Sequence, residues 1–146
     1  MHNESISNTI FSLVHSFKLT MRSELKANEL GLNAMYVKCL TYIKRAETCT
    51  ANDIVNHFAR DKAQIARVIK EMIDKQWVQK SANPEDKRSQ LLSLTENGNE
   101  LAELIFATQN KVHNKMRENL NHEELKEFER VTKIMVANLN TLSQRD

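Results

Sequence analysis

Glycine and proline are almost absent from this chain, with 2 Gly and 1 Pro in 146 residues. These residues punctuate turns and irregular backbone, so their scarcity predicts long helices joined by few tight turns. Also missing is any run near 18 apolar residues, which leaves no candidate membrane span. No basic stretch leads into an apolar core at the N-terminus, so no signal peptide is expected and cytoplasmic residence follows. In that compartment the two cysteines are not expected to form a structural disulfide. Cys39, beside Leu40, reads as a small buried apolar residue. Cys49, in the polar turn Glu47-Thr48-Cys49-Thr50, is expected to be more exposed.

Patterns that carry chemistry are thin as well. His2, His15, His57, His113 and His122 are scattered, with no i, i+4 pair and no Cys-x-x-Cys, so no metal site is expected. There is no Gly-rich phosphate loop, nucleophile elbow or close pair of carboxylates on one face. Neither enzymatic activity nor a cofactor is expected. An apolar fraction of 40% is slightly low, which suits an elongated subunit that buries part of its core against a partner.

What is present is concentrated between residues 60 and 98. A helix from about Lys62 to Lys75 carries Ile65, Val68, Ile69, Met72 and Ile73 at the spacing of a buried stripe. Ala63, Gln64, Arg67, Lys70, Glu71 and Asp74 lie opposite. Asn83-Pro84 then initiates a turn whose tip is Glu85-Asp86-Lys87-Arg88, and the chain returns as an apolar–polar strand into a helix at Thr95. That is a hairpin with two cations at its tip. Net charge is only +2, but residues 60–90 hold Arg60, Lys62, Arg67, Lys70, Lys75, Lys80, Lys87 and Arg88 against Asp61, Glu71, Asp74, Glu85 and Asp86. The excess is modest and its placement matters more.

The rest of the chain supplies five further helices. The first, from about Ser5 to Lys26, has Ile6, Ile10, Leu13, Val14, Phe17, Met21 and Leu25 at three- and four-residue spacing. Gly31 breaks it, and Asn33 can cap a second helix with Tyr36, Leu40 and Ile43. Thr50 opens a short third helix with Ile54, Val55 and Phe58, and Asp53 completes something like a capping box. Asp61 with Gln64 looks like the better box, opening the fourth helix. Beyond Thr95 one helix carries Leu101, Leu104, Ile105, Val112, Met116 and Leu120. A last one, opened by Asn121 with Glu124, carries Leu125, Phe128, Met135, Leu139 and Leu142. A short helix, a turn and the fourth helix have helix-turn-helix spacing. The fourth helix alone could be an ordinary amphipathic helix with a solvated face; the basic hairpin after it makes a winged helix-turn-helix, which holds DNA by two grooves at once. The expected fold is mainly α, with about six helices and a two-stranded β-hairpin wing. One domain over 1–146 is expected, with a DNA-binding part at 33–95. Helices at 1–30 and 96–146 exceed what a minimal winged domain needs, and a two-fold homodimer would bury their stripes.

These residues carry a family resemblance over essentially the whole chain. Asp86-x-Arg88-Ser89 followed by Leu92-x-Leu94-Thr95-x-x-Gly98 resembles the wing signature of MarR-type regulators, the multiple-antibiotic-resistance regulator family. Ala66-Arg67-Val68-Ile69-x-x-Met72 is similar to its recognition-helix pattern. The resemblance implies a homodimer on a pseudo-palindromic operator in double-stranded DNA, usually a repressor, relieved by a small effector of aromatic or phenolic kind. It implies that Arg88 enters the minor groove braced by Asp86, that Arg67 lies near the DNA, and that Thr95 caps the helix leaving the wing. Two departures stand out. Gln76 replaces the glycine that usually ends the recognition helix, so a left-handed cap there is expected to be strained or absent. Ala63-Gln64 replaces an early Ser or Thr, so base preference does not transfer.

The DNA-contacting set expected is therefore Lys62, Ala63, Gln64, Arg67 and Lys70 on the helix with Lys87 and Arg88 on the wing. Gln64 and Arg67 are suited to adenine and guanine edges, and Lys62 and Lys70 to phosphates. Two alternatives stay open: a winged protein-interaction module that has lost DNA binding, and a regulator that senses oxidants through a cysteine.

Overall fold

The computed structural model describes residues 3–143, which leaves His2 outside the description. The described residues fall into two compact units that meet between Asn110 and Lys111 in sequence.

In the first unit α1 (Asn3–Leu25) and a four-residue α2 (Ala27–Leu30) precede α3 (Ala34–Arg45), α4 (Ala51–Phe58) and α5 (Lys62–Asp74). The extra turn α2 was not foreseen; it begins after Lys26 in the left-handed region (φ 55°) and ends at Gly31 (φ 70°). Next come β1 (Val78–Ala82) and β2 (Gln90–Leu94), paired antiparallel with Val78 opposite Leu94 and Ala82 opposite Gln90. α6 (Glu96–Met116) follows and crosses the unit boundary. It stops short of Leu120, which lies in the turn beyond it.

Caps set most of these boundaries. Asn33 accepts the Tyr36 amide at 2.8 Å and starts α3. The reciprocal capping box belongs to α4, where Thr50 accepts from the Asp53 amide and Asp53 from the Thr50 amide. The sequence had suggested the better box at Asp61 and Gln64. There only one half forms, Asp61 accepting the Gln64 amide at 3.3 Å, because a glutamine that turns into the neighbouring cleft cannot also reach back. One apolar face of α3, α4 and α5 meets in the core: Leu40, Ile54, Ile65 and Met72 are fully buried, with Val78, Leu92 and Ile105 closing over them. Tyr42, His57 and Phe58 stack where α3 meets α4.

Cys39 is buried as expected, but Cys49 is buried too, at 1% exposure. Its carbonyl accepts the Leu92 amide at 2.7 Å. This backbone bond ties the polar turn to β2 of the two-stranded hairpin, which draws the thiol inward. Desolvation pushes the Cys39 thiol up from 9.0 to about 11 and the Cys49 thiol to about 12.

The second unit holds the end of α6 and α7 (His122–Ser143). Asn121 and Glu124 exchange hydrogen bonds at 2.8 and 3.3 Å to open α7, as the sequence suggests. Arg130 with Glu127 and Lys133 with Glu129 line its solvated side. Phe128, Ile134, Met135, Val136, Leu139 and Leu142 are exposed. None of the described helices is long and apolar enough to cross a membrane.

Candidate nucleic-acid interface

α5 is anchored at both ends and along its buried stripe, and it presents a polar face. Lys62, Ala63, Arg67 and Lys70 are exposed, while Gln64 is half-buried. Gln64 lines an open cleft of about 610 Å³ together with Asn33, Met35, Tyr36, Arg67 and Glu71. Among the described residues nothing holds the guanidinium of Arg67 by hydrogen bond or ion pair.

The C-terminus of α5 takes the strained form of the two expected outcomes. The left-handed cap is present although glycine is not: Gln76 has φ 62°. Its amide bonds to the Ile73 carbonyl at 2.9 Å, and the Trp77 amide to the Met72 carbonyl at 3.0 Å. This pair of bonds closes the helix in the Schellman manner and turns the chain directly into β1. The tight closure matters because the α6 start packs onto it. Thr95 Oγ1 donates to the Gln76 carbonyl at 2.6 Å and accepts the Gly98 amide at 3.0 Å. The Thr95 amide bonds to the Trp77 carbonyl at 3.0 Å. A Cβ at Gly98 would sit 1.9 Å from that same carbonyl oxygen, so only glycine fits. Thr95 thus caps α6 and ties it to the end of α5.

The wing is held by its own polar side chains. Asn83 accepts the Glu85 amide and donates to Ser89 Oγ, both at 3.1 Å. Asp86 accepts the backbone amide of Arg88 at 2.9 Å and the Ser89 hydroxyl at 3.5 Å. Asp86 was expected to brace the Arg88 guanidinium. In this structure it grips the Arg88 amide instead, and no ion pair joins the two side chains among the described residues. The outcome is a shaped turn with Lys87 and Arg88 exposed and unpaired at its tip.

One feature escaped the sequence. Tyr36 on α3 donates its hydroxyl to the Glu71 carboxylate on α5. That bond, followed by desolvation, raises the tyrosine above its ordinary 10.0. The two lie 35 residues apart, and the only sequence signal was a glutamate flanked at four residues by Arg67 and Lys75. Among the described residues no His, Cys, Asp and Glu cluster could hold a metal ion.

Comparison with known proteins agrees with this geometry. The MarR family model matches residues 32–90. The chain is 32% identical over 125 residues to the HTH-type transcriptional regulator BilQ of Clostridioides difficile (strain CD3), covering 86% of this chain and 83% of that protein. It is similar in fold to the S. aureus MepR–DNA complex, with TM-score 0.77 at 17% identity over 90% of this chain and 96% of that one. It is also similar to a mutant of E. coli MarR complexed with operator DNA, with TM-score 0.69 at 22% identity over 92% and 99% of the two chains. On the strength of the matched winged segment and the relative spanning most of its length, this chain belongs to the MarR family of transcriptional regulators, which bind DNA rather than catalyse a reaction.

Proposed function

We propose that this protein is a homodimeric repressor that binds a pseudo-palindromic operator and is released by a small aromatic or phenolic effector, acting in the cytoplasm. The observation that carries the DNA reading is the pair of rigidly held, unpaired cationic surfaces, Arg67 and Lys70 on α5 and Lys87 and Arg88 on the wing. Two proteins of similar fold are known bound to DNA. In this reading Lys62, Ala63, Gln64, Arg67 and Lys70 face the major groove. Arg88 and Lys87 reach a minor groove narrowed by A·T-rich sequence, where negative potential is concentrated.

The exposed apolar residues of α1, with Ile10, Phe11, Leu13 and Val14 among them, and those of α7 support the homodimer. An obligate interface of that kind buries more than ~2,000 Å² in total. The cleft containing Gln64 and Arg67 supports effector relief, since an occupant there would compete with DNA for the same side chains.

An electrophoretic shift with the promoter region beside the protein's own gene tests the reading. A discrete complex is expected. Arg88→Ala should weaken it and lower the salt-dependence slope by about one per subunit. Asp86→Ala should also weaken it, despite adding positive charge, because the turn that presents Arg88 loses its acceptor. No complex at any salt would favour the interaction-module alternative, and tighter binding by Asp86→Ala would show that net charge outweighs turn geometry.

A further inference from the structure

Glu71 lies in the last turn of α5 with a cation four residues away on each side, Arg67 before it and the C-cap Lys75 after it. At that spacing side chains on a helix are neighbours, and a carboxylate ordinarily finds a cation there. Neither pair forms among the described residues. The carboxylate is taken by the Tyr36 hydroxyl. Lys75 is drawn off as well, its Nζ lying 5.2 Å from the Trp77 ring centroid and 5.9 Å from that of Tyr36. Those two rings meet edge to face at 5.6 Å. Arg67 is left exposed with all of its donors uncommitted.

Resting on the reading of α5 as the DNA-contacting helix, we propose that Tyr36 is a positioning residue for operator recognition, which holds the Glu71 carboxylate away from Arg67 so that the guanidinium is free for DNA. A guanidinium has no acceptor capacity, and a carboxylate competes with a phosphate or a guanine edge for the same donors. An internal Arg67–Glu71 pair would have to break before each contact with DNA. Tyr36 is well placed to prevent that pair: it is 7% exposed, and its own amide is fixed by the Asn33 cap of α3. The carboxylate is therefore restrained by a second helix.

A two-by-two cycle tests this, using fluorescence anisotropy with the protein's own promoter fragment at fixed salt. Tyr36→Phe keeps the ring and frees Glu71; binding should weaken about five-fold, the scale of a partly buried charge-assisted pair. Glu71→Gln alone should change little, since its amide oxygen still accepts from Tyr36. In the Tyr36→Phe background the same Glu71→Gln change should restore binding to near wild type.

A bond that matters only for stability predicts no rescue in the double variant. A general charge effect predicts the same gain from Glu71→Gln in both backgrounds. Either outcome overturns the proposal. In DNA-free protein, the Arg67 Nε–H signal should exchange with solvent in wild type and be protected in Tyr36→Phe; equal exchange in both would also overturn it. Arg67→Ala separates the levels of failure. If it binds as well as wild type, the reading of α5 falls and takes this proposal with it. If it loses binding while Tyr36→Phe does not, only the role of Tyr36 falls.

Discussion

Two exposed surfaces of the first unit differ in kind. On α5 and the wing the exposed side chains are polar or small and include Lys62, Arg67, Lys70, Lys87 and Arg88, and the backbone beneath them is fixed by the α5 closure, the Thr95 cap and the Asn83–Ser89–Asp86 turn. On α1 the exposed side chains include Ile10, Phe11, Leu13, Val14 and Leu19, with Phe11 69% open to solvent. Water solvates an ammonium or guanidinium readily, whereas each large apolar side chain left in water forgoes about 1.5–3 kcal/mol of burial. The first surface is complete as folded and waits for an anion. The second is complete only when something apolar covers it.

The most severe way to break the contrast is to destroy the polar surface from beneath. Gly98→Ala puts a methyl against the Trp77 carbonyl, a clash with backbone that no rotamer relieves. A loss of about 3 kcal/mol or more is expected, read as a lower denaturant midpoint; an unchanged midpoint would mean that the α5–α6 junction is loose.

Next in size is a charge placed on the other surface. Phe11→Glu should convert the proposed dimer to monomers in sedimentation at micromolar concentration, at a cost of about 2 kcal/mol or more, with helical content preserved. A dimer that survives the change would place the interface elsewhere.

The thiols beneath the wing supply a pH test. Both are raised above their ordinary 9.0, to about 11 for Cys39 and about 12 for Cys49. The folded protein therefore keeps protons that the unfolded chain has released. Their contribution is whole below about pH 9 and is lost as pH rises through the folded values. Stability should fall above about pH 9 by up to roughly 1.4 kcal/mol per pH unit for each thiol, and less steeply in Cys39→Ala/Cys49→Ala. Equal slopes would mean other groups dominate. The same protonation deprives the oxidant-sensing alternative of a reactive thiolate.

The smallest expected effect is favourable. Gln76→Gly relieves a left-handed φ and should raise stability by about 0.5–1 kcal/mol, with operator affinity unchanged. A loss of stability would show that the glutamine side chain does more than occupy the cap.

Local signals in the sequence translated directly. Asn33, Thr50 and Asn121 open helices because a cap needs only a short polar side chain and three following residues. The hairpin was legible from Asn83-Pro84 and the apolar–polar alternation Leu92-Ser93-Leu94 that runs into Thr95. Two of the misses depend on distant chain, and one on the backbone of the turn itself. Cys49 looked exposed because its neighbours are polar, and only the Leu92 amide arriving from the hairpin pins that segment against β2 and buries the thiol. Asp86 was read as a partner for a side chain when the nearer donor was a backbone amide. Tyr36 and Glu71 meet through the packing of two helices, which periodicity gives no means to pair. At the candidate interface, then, the residue types were readable, but what restrains each of them was not.

The bond from the Leu92 amide to the Cys49 carbonyl gives the hairpin a fulcrum. At that point the ribbon is backed by the segment entering α4; farther out it stays paired only to Ala82 and Gln90, about 7 Å at roughly 3.3 Å per residue, and then becomes the turn that carries Lys87 and Arg88. Any small rotation at the base is amplified at the tip, so through this bond the reach of Arg88 would follow the tilt of the segment entering α4. In the proposed DNA-bound state, operators that differ slightly in groove spacing would be met by leverage, with no change in the residues proposed to touch them.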